Sequence, residues 1–241
     1  MSYKVVTISN RTPHEWYYLQ KEFYKSLEGN DVLTINRSHE RPFNGLATKP
    51  KWLYSSIKAG EIKEKYIILV DNWDVVFGAE PKEVMLKYFS ENADIVISGE
   101  SNCFPDTYKK QYDEIALPMP YRYLNSGVIV GSTDAILACL EAMDLPNVQD
   151  DYRNPDGSAY HSNDQTEWQK IFLMQPVKIV LDYNQSISQT LHNAKPEDFN
   201  FSEERIRNVI TNSKPSIWHF NGGSKDNLSL RNPILNHLNL L

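Results

Sequence analysis

The sequence feature that most constrains the fold is the apolar run Tyr66–Val70 (YIILV), which ends abruptly at Asp71. The run is continuous rather than alternating, as in a central parallel strand that is covered on both faces. Strand-like and helix-like segments alternate around it over the first hundred residues, which is the pattern of βαβ units. The sequence therefore predicts an α/β fold with a mainly parallel central sheet flanked by helices.

Hydrophobic periodicity and turn residues place the remaining elements. Further strands are predicted at residues 5–8, 32–35, 95–97, 128–130 and 177–181. Helices are predicted at residues 12–27, at 52–57, from 81, at 134–143 and from 164, with loops at 102–120 and 147–162. A length of 241 residues suits one domain with a single core.

Composition excludes several classes of protein. The net charge of -6 excludes a global attraction to nucleic acid or to an anionic membrane. The two cysteines, Cys103 and Cys139, form no disulfide framework or zinc motif. No run approaches 18 apolar residues, and the first residues lack the layout of a signal peptide. We therefore expect a cytoplasmic location and no membrane segment.

Two carboxylates, Asp71 and Asp74, follow the central strand at its carboxyl end, where open α/β sheets usually bind ligands. Carboxylates three residues apart in a turn can converge on an oxygen-preferring cation such as Mn²⁺ or Mg²⁺, which would in turn bind a diphosphate. A solvated turn after the strand is the alternative interpretation.

A second polar cluster, residues 218–225 (WHFNGGSK), lies near the end of the chain. His219 can supply an imidazole ligand, the backbone at Gly222 can approach phosphate oxygens, and Lys225 can neutralise them. A structural histidine and an ordinary glycine turn are the alternatives. Asn125 before Gly127 and Asp164 at a helix start are two further polar positions, the latter equally consistent with helix capping.

Taken together, these segments resemble the glycosyltransferase domain of the procollagen lysyl hydroxylases and related collagen-type sugar transferases. The matching segments occur in the same order along the chain: residues 68–75 (ILVDNWDV), 99–105 (GESNCFP), 123–127 (YLNSG), 163–165 (NDQ), 179–182 (IVLD) and 219–222 (HFNG). The resemblance implies a GT-A-type, Rossmann-like fold with a mixed sheet, a UDP-sugar donor and Mn²⁺. It implies metal ligands at Asp71, Asp74 and His219, with Trp73 stacking on the uracil.

The same resemblance implies that Asn125, Asp164 and Gln165 face the donor sugar and the acceptor. It also implies that Thr7 and Ser9 border the nucleotide and that Lys51, or Lys49, contacts phosphate. Two departures from the family are visible. A run of aspartates in the family is replaced by residues 161–164 (HSND), and a tryptophan is replaced by Phe104.

The predicted activity is the metal-dependent transfer of a hexose or related sugar from a UDP-sugar to a hydroxyl group. Residues 1–98 would form the nucleotide-sugar half and residues 99–241 the acceptor and catalytic half. The acceptor would be a glycan, a hydroxylated protein side chain or a hydroxylated base in viral DNA. A microbial or viral source would fit the expected cytoplasmic location. For a viral protein, that location would be the host cytoplasm. An inactive nucleotide-sugar-binding module and a nucleotide-sugar hydrolase are the alternatives. A DNA acceptor would require a basic surface, for which the candidates are Lys109, Lys110, Arg205, Arg207 and Arg231.

Overall fold

A mixed six-stranded sheet lies at the centre of the computed structural model, which describes residues 2–10, 19–40, 43, 45–71, 73–115, 119–145, 147, 152–153, 159–160 and 163–241. Within these residues the strands are β1 (Tyr3–Ile8), β2 (Val32–Ile35), β3 (Tyr66–Val70), β4 (Val75–Phe77), β5 (Ile95–Glu100), β6 (Tyr123–Ser132), β7 (Tyr152–Arg153), β8 (Ala159–Tyr160), β9 (Ile179–Asp182), β10 (Ser188–Thr190), β11 (Phe199–Asn200), β12 (Arg207–Asn208) and β13 (Ile217–His219). The helices are α1 (Gln20–Ser26), α2 (Thr48–Lys58), α3 (Pro81–Ser90), α4 (Lys109–Ile115), α5 (Thr133–Ala142), α6 (Asp164–Met174) and α7 (Leu228–His237).

The strands of the central sheet follow the order β2-β1-β3-β6-β5-β9. The pairs β1–β2, β1–β3 and β5–β9 are parallel, whereas β6 is antiparallel to both of its neighbours. Five strands therefore run in one direction and β6 runs against them. The prediction of a mixed, mainly parallel sheet is confirmed.

The central strand β3 is covered on both faces, as its continuous apolar run predicts. Ile67 and Leu69 pack on one face in a cluster with residues of α2, α5 and α6. Ile68 and Val70 pack on the other face with residues of α1 and α3. Because apolar side chains cover both faces of β3, the polar Asp71 follows only where the strand leaves the core at its carboxyl end.

A second sheet of three short strands, in the order β10-β13-β4, lies beside the first. Strand β13 is parallel to β10 and antiparallel to β4. Trp218 of β13 and Val76 of β4 join a third cluster with α7, in which Leu235 and Leu240 of the C-terminal segment pack internally. This sheet brings residues of the second polar cluster close to Asp71, at the carboxyl end of β3.

The structure corrects several details of the predicted elements. Residues 102–120, predicted as loop, contain α4, and the short strand β4 and helix α7 were not predicted. Residues 123–127 belong to β6 itself, because a register shift between Ile97 and Ser98 lets the end of β5 continue pairing with them. The predicted start of the first helix, residues 12–18, lies outside the described residues, as does most of the predicted loop at 147–162.

The predicted division of the chain after residue 98 falls inside β5. Strands from both sides of it share the central sheet. None of the helices in the described ranges is long and apolar enough to cross a membrane.

Candidate active site

A cavity of about 580 Å³ opens at the carboxyl ends of β1, β3 and β13. Its wall includes Ser9 after β1, Asp71 after β3 and His219 at the end of β13. The first residues of the antiparallel β6 and of helix α6 complete it, with Asn125 and Asp164 in the lining. The two sheets thus contribute polar side chains to one concave site, where α/β folds place ligands.

Asp71, Asp74 and His219 converge at this wall, with one potential ligand atom from each lying within 4.8 Å of the others. The backbone N–H of Asp71 donates to the carbonyl of Gly127 at 3.0 Å, which holds the first carboxylate against β6. The carbonyl of Asp74 accepts the N–H of Phe220 at 2.7 Å, which joins the start of β4 to the end of β13. Two separate strand pairings therefore bring the three side chains together.

The side chain of His219 is 4% exposed, and its Nε2 lies 3.4 Å from Asp74 Oδ1. Burial alone would lower the pKa of His219, but the neighbouring Asp74 raises it; conversely, burial would raise the pKa of Asp74 and His219 lowers it. The other ring nitrogen, Nδ1, is buried and has no hydrogen-bond partner among the described residues.

These residues fit a divalent cation. Two carboxylates and an imidazole form an oxygen-rich donor set suited to Mn²⁺ or Mg²⁺, with the nitrogen ligand favouring Mn²⁺. A buried nitrogen without a partner is costly unless something binds it.

The structure explains why a glycine, Gly127, follows Asn125 and Ser126 in the sequence. A Cβ atom at this position would lie 2.1 Å from Cε1 and 2.6 Å from Nδ1 of His219. The imidazole therefore occupies the space that any other residue at position 127 would need for its side chain. The glycine is a requirement of the candidate metal site rather than of the strand.

Lys49 bridges the first carboxylate and the start of α6. Its Nζ lies 2.7 Å from Asp71 Oδ1 and 3.0 Å from Asp164 Oδ2. Burial opposes the charge on Lys49, but the two carboxylates outweigh it and raise the pKa of the ammonium. Burial raises the pKa of Asp164, an effect that Lys49 partly offsets. Asp164 is thus held in an ion pair instead of standing as an isolated carboxylate.

Glu100, at the end of β5, organises the opposite wall of the cavity. Its carboxylate accepts hydrogen bonds from Asn125 Nδ2 at 3.1 Å, Asn221 Nδ2 at 2.6 Å and Gln165 Nε2 at 3.4 Å. Burial raises the pKa of Glu100 to about 7, even though these amide donors favour the ionised form. One buried carboxylate therefore orients both predicted amides, Asn125 and Gln165.

Most of the predicted donor-binding residues line the cavity, but two do not. Ser9, Trp73, Gly222 and Lys225 are in the lining. Thr7 is buried within β1 and Lys51 is buried in α2, and neither is in the lining. In place of Lys51 the neighbouring Lys49, which the sequence left as the alternative, reaches the cavity because it lies half a helical turn away on α2.

Among the polar residues of the wall that had no role in the sequence analysis are Glu100, Asn221 and His192. Glu100 and Asn221 lie in segments that match the resembled family, and each follows or ends a strand, a signal that could have identified them. His192 lies in no matching segment. Only the register of β10 against β13 brings it to the site.

Solved structures with a similar fold include glycosyltransferases. One, a glycosyltransferase involved in the glycosylation of the major capsid of PBCV-1, superimposes with a TM-score of 0.55 at 14% identity, and the match covers 100% of both chains. Mouse xyloside xylosyltransferase 1 superimposes with a TM-score of 0.54 at 14% identity, covering 93% of this chain and 99% of its own. The likeness shows that the chain has the GT-A fold.

The sequence is similar to curated procollagen lysine hydroxylases. The multifunctional procollagen lysine hydroxylase and glycosyltransferase LH3 of Rattus norvegicus is 29% identical over 190 residues, which are 75% of this chain and 24% of that protein. The procollagen-lysine,2-oxoglutarate 5-dioxygenase of Drosophila melanogaster is 28% identical over 176 residues, 69% of this chain and 22% of its own length. The chain spans about a quarter of the length of these relatives.

The family model described as the PLOD GT domain matches residues 34–239, which include every predicted metal ligand and the whole of the second sheet. Since this match extends over most of the chain, the protein belongs to the PLOD GT domain family of glycosyltransferases.

Proposed function

We propose that this domain transfers a hexose or related sugar from a UDP-sugar to a hydroxyl acceptor with the help of Mn²⁺ or Mg²⁺. The observation that carries the proposal is the convergence of Asp71, Asp74 and His219, with an unpartnered imidazole nitrogen, on the wall of one cavity of about 580 Å³. Their carboxylates and imidazole would hold the cation. When bound, such a cation neutralises the negative charge that develops on the departing diphosphate.

The residues around this centre suit a nucleoside diphosphate. Trp73 lies between the two acidic ligands in the chain and offers an indole face to the uracil. Ser9 borders the nucleoside from the end of β1. From the turn after β13, the backbone at Gly222 and the ammonium of Lys225, both in the cavity lining, would share the charge of the phosphates.

The acceptor side of the cavity is formed by Asn125, Asp164 and Gln165. Glu100 holds the Asn125 amide, and Glu100 together with the backbone of Ser126 holds the Gln165 amide, so both can face the sugar hydroxyls without reorganising. Asp164 would receive the proton of the acceptor hydroxyl or stabilise the cationic sugar carbon, and Lys49 keeps its carboxylate oriented. In this scheme residues 1–98 supply Ser9, Trp73 and two metal ligands to the donor side. Residues 99–241 supply the acceptor side and, from the turn after β13, the remaining donor contacts.

A protein hydroxyl or a glycan is the acceptor that we favour. The relatives are named for procollagen lysine, and one similar structure is named for the glycosylation of the major capsid of PBCV-1. The basic residues that could have formed a nucleic-acid surface are largely neutralised by acidic partners. The ion pairs are Lys109–Asp113, Lys110–Glu114, Arg205–Glu83 and Arg207–Glu203.

A thermal-shift and hydrolysis screen with UDP-glucose, UDP-galactose and other nucleotide sugars tests the proposal, in Mn²⁺ or in chelator. We expect one donor to stabilise the protein only with Mn²⁺ and to be hydrolysed slowly without acceptor. Asp74→Asn should abolish this stabilisation, whereas Asp134→Asn, an exposed carboxylate on α5, should preserve it.

Each of the other outcomes of this screen would indicate a different function or refute the site. Binding of UDP without transfer or hydrolysis would indicate an inactive module. Rapid donor hydrolysis with no acceptor present would indicate a hydrolase. No response to any nucleotide sugar, or undiminished Mn²⁺-dependent binding in Asp74→Asn, would refute the proposed site.

A further inference from the structure

His192 is a second histidine in the wall of the cavity, and the proposed reaction has given it no role. Its side chain is half-buried and makes no hydrogen bond or ion pair with any part of the chain that the structure describes. His237 on α7, by comparison, contacts the carbonyl of Glu204 at 3.0 Å. An imidazole without a protein partner, at the wall of a ligand cavity, is available to a ligand.

The backbone of His192 is tied to the turn that carries the other polar residues of the second sheet. Strands β10 and β13 are parallel, with Thr190 opposite His219. His192 therefore lies two residues beyond its strand, just as Asn221 lies beyond His219. Asn221 Oδ1 accepts the N–H groups of Leu191 and His192 at 2.9 and 3.0 Å. The position of His192 at the cavity is thus built into the fold.

The ring of His192 packs against the glycine turn. Gly222 has a φ of +60°, and a Cβ atom there would lie 2.4 Å from Nδ1 of His192. The glycine therefore serves two purposes, since it adopts a left-handed conformation and leaves room for the imidazole. Lys225 follows three residues later in the same turn and also lines the cavity. Two nitrogen donors, one of them cationic, flank the turn.

Donors grouped in this way suit an anion with several oxygen atoms, such as a phosphate. The order of the second sheet indicates which phosphate. Strand β13 lies between β10 and β4, so His219 stands between His192 on one side and Asp74, with the adjacent Trp73, on the other. If the nucleoside lies at Trp73, the far side of His219 receives the distal phosphate.

We propose that His192 donates a hydrogen bond to the distal phosphate of the UDP donor and stabilises it as the sugar departs. This inference rests on the proposed function, since it requires UDP to occupy the cavity. It assigns to His192 a part in the selection of a nucleoside diphosphate over a nucleoside monophosphate.

Isothermal titration of UDP and UMP in the presence of Mn²⁺ tests the role of His192. His192→Phe keeps a ring against Gly222 but removes the donor. We expect it to weaken UDP binding roughly 10- to 100-fold, as for the loss of a hydrogen bond to a charged group, and UMP binding less than about twofold. His192→Gln, which retains an N–H donor, should recover most of the UDP affinity, and His237→Phe should leave both affinities unchanged.

Two results would overturn the inference while leaving the proposed function intact: UDP affinity unchanged in His192→Phe, or UDP and UMP weakened equally. Should His192→Phe not fold, His192→Met removes the donor without a ring and carries the same expectation. If the unaltered protein binds no UDP, the proposed function itself fails and this inference fails with it.

Discussion

Replacing Gly127 by alanine would test the coupling between the central sheet and the candidate metal centre. The added Cβ would lie 2.1 Å from Cε1 of His219, whereas nonbonded carbon atoms prefer about 3.5–4.0 Å. Either the imidazole or the strand must move by more than about 1 Å. Because β6 is held by pairing with β3 at Val128 and with β5 at Asn125 and Ile129, just before and after Gly127, we expect the imidazole to be displaced.

A displacement of this size is several times larger than the tolerance of about 0.2 Å for a metal–ligand distance. Gly127→Ala should therefore weaken Mn²⁺ binding by at least roughly 10- to 100-fold, as when a ligand is poorly oriented. The overpacking should also cost about 1–3 kcal/mol of stability. Titration of Mn²⁺ by calorimetry and chemical denaturation in chelator measure the two effects separately.

Gly131→Ala provides the matched control in the same strand. Its Cβ would lie 2.9 Å from the carbonyl oxygen of Asp94 and 2.9 Å from Cγ1 of Ile95, far from the cavity. We expect a similar loss of stability with unchanged Mn²⁺ affinity. If Gly127→Ala binds Mn²⁺ as tightly as the unaltered protein, His219 is not a ligand, or the ring has another position open to it.

Three further predictions concern single side chains. Trp73→Ala should weaken UDP binding by roughly 1–3 kcal/mol in calorimetry if the indole stacks on uracil, and an unchanged affinity would assign it to packing alone. Although partial burial opposes it, Arg205 and Lys87 lower the pKa of Glu83 to about 2. The ionised Glu83 should therefore stabilise the folded protein by about 1–2 kcal/mol, after allowance for the exposure of its side chain. This contribution should persist above pH 4.5 and disappear as the pH falls towards 2. In acid denaturation, a Glu83→Gln variant should lack this pH dependence. Burial raises the pKa of Glu100 to about 7. Without metal, the protein should therefore lose up to about 3 kcal/mol of stability as the pH rises from 4.5 to 7. The Glu100→Gln variant should not show this decline.

The central sheet could be predicted from the sequence because its signals are local. The run at β3 is apolar without alternation, and a strand covered on both faces has that pattern whatever its neighbours are. Asp71 and Asp74 were predicted to lie at its carboxyl end for the same reason. The predicted resemblance to the family is confirmed by the family model.

The contacts of Lys49 and Glu100 within the site could not be predicted, because they depend on the order of the strands. Lys49 meets Asp164 only because α2 and the start of α6 flank the same end of the sheet. Glu100 gathers amides from β6, α6 and the turn after β13, at separations of 25, 65 and 121 residues. No periodicity in one segment encodes such a contact.

The second sheet shows most clearly why a residue can be predicted while its geometry cannot. Strand β4 has three residues, which is too short for an alternating pattern to stand out. Yet its antiparallel register, with Val75 opposite His219, is what places Asp74 beside the imidazole. A slip of one residue would turn Val75 towards the cavity and Asp74 away from it. The candidate metal centre therefore depends on the pairing of β4 with β13. The matching segments 68–75 and 219–222 include Val75 and His219, but their sequences do not indicate that these residues pair.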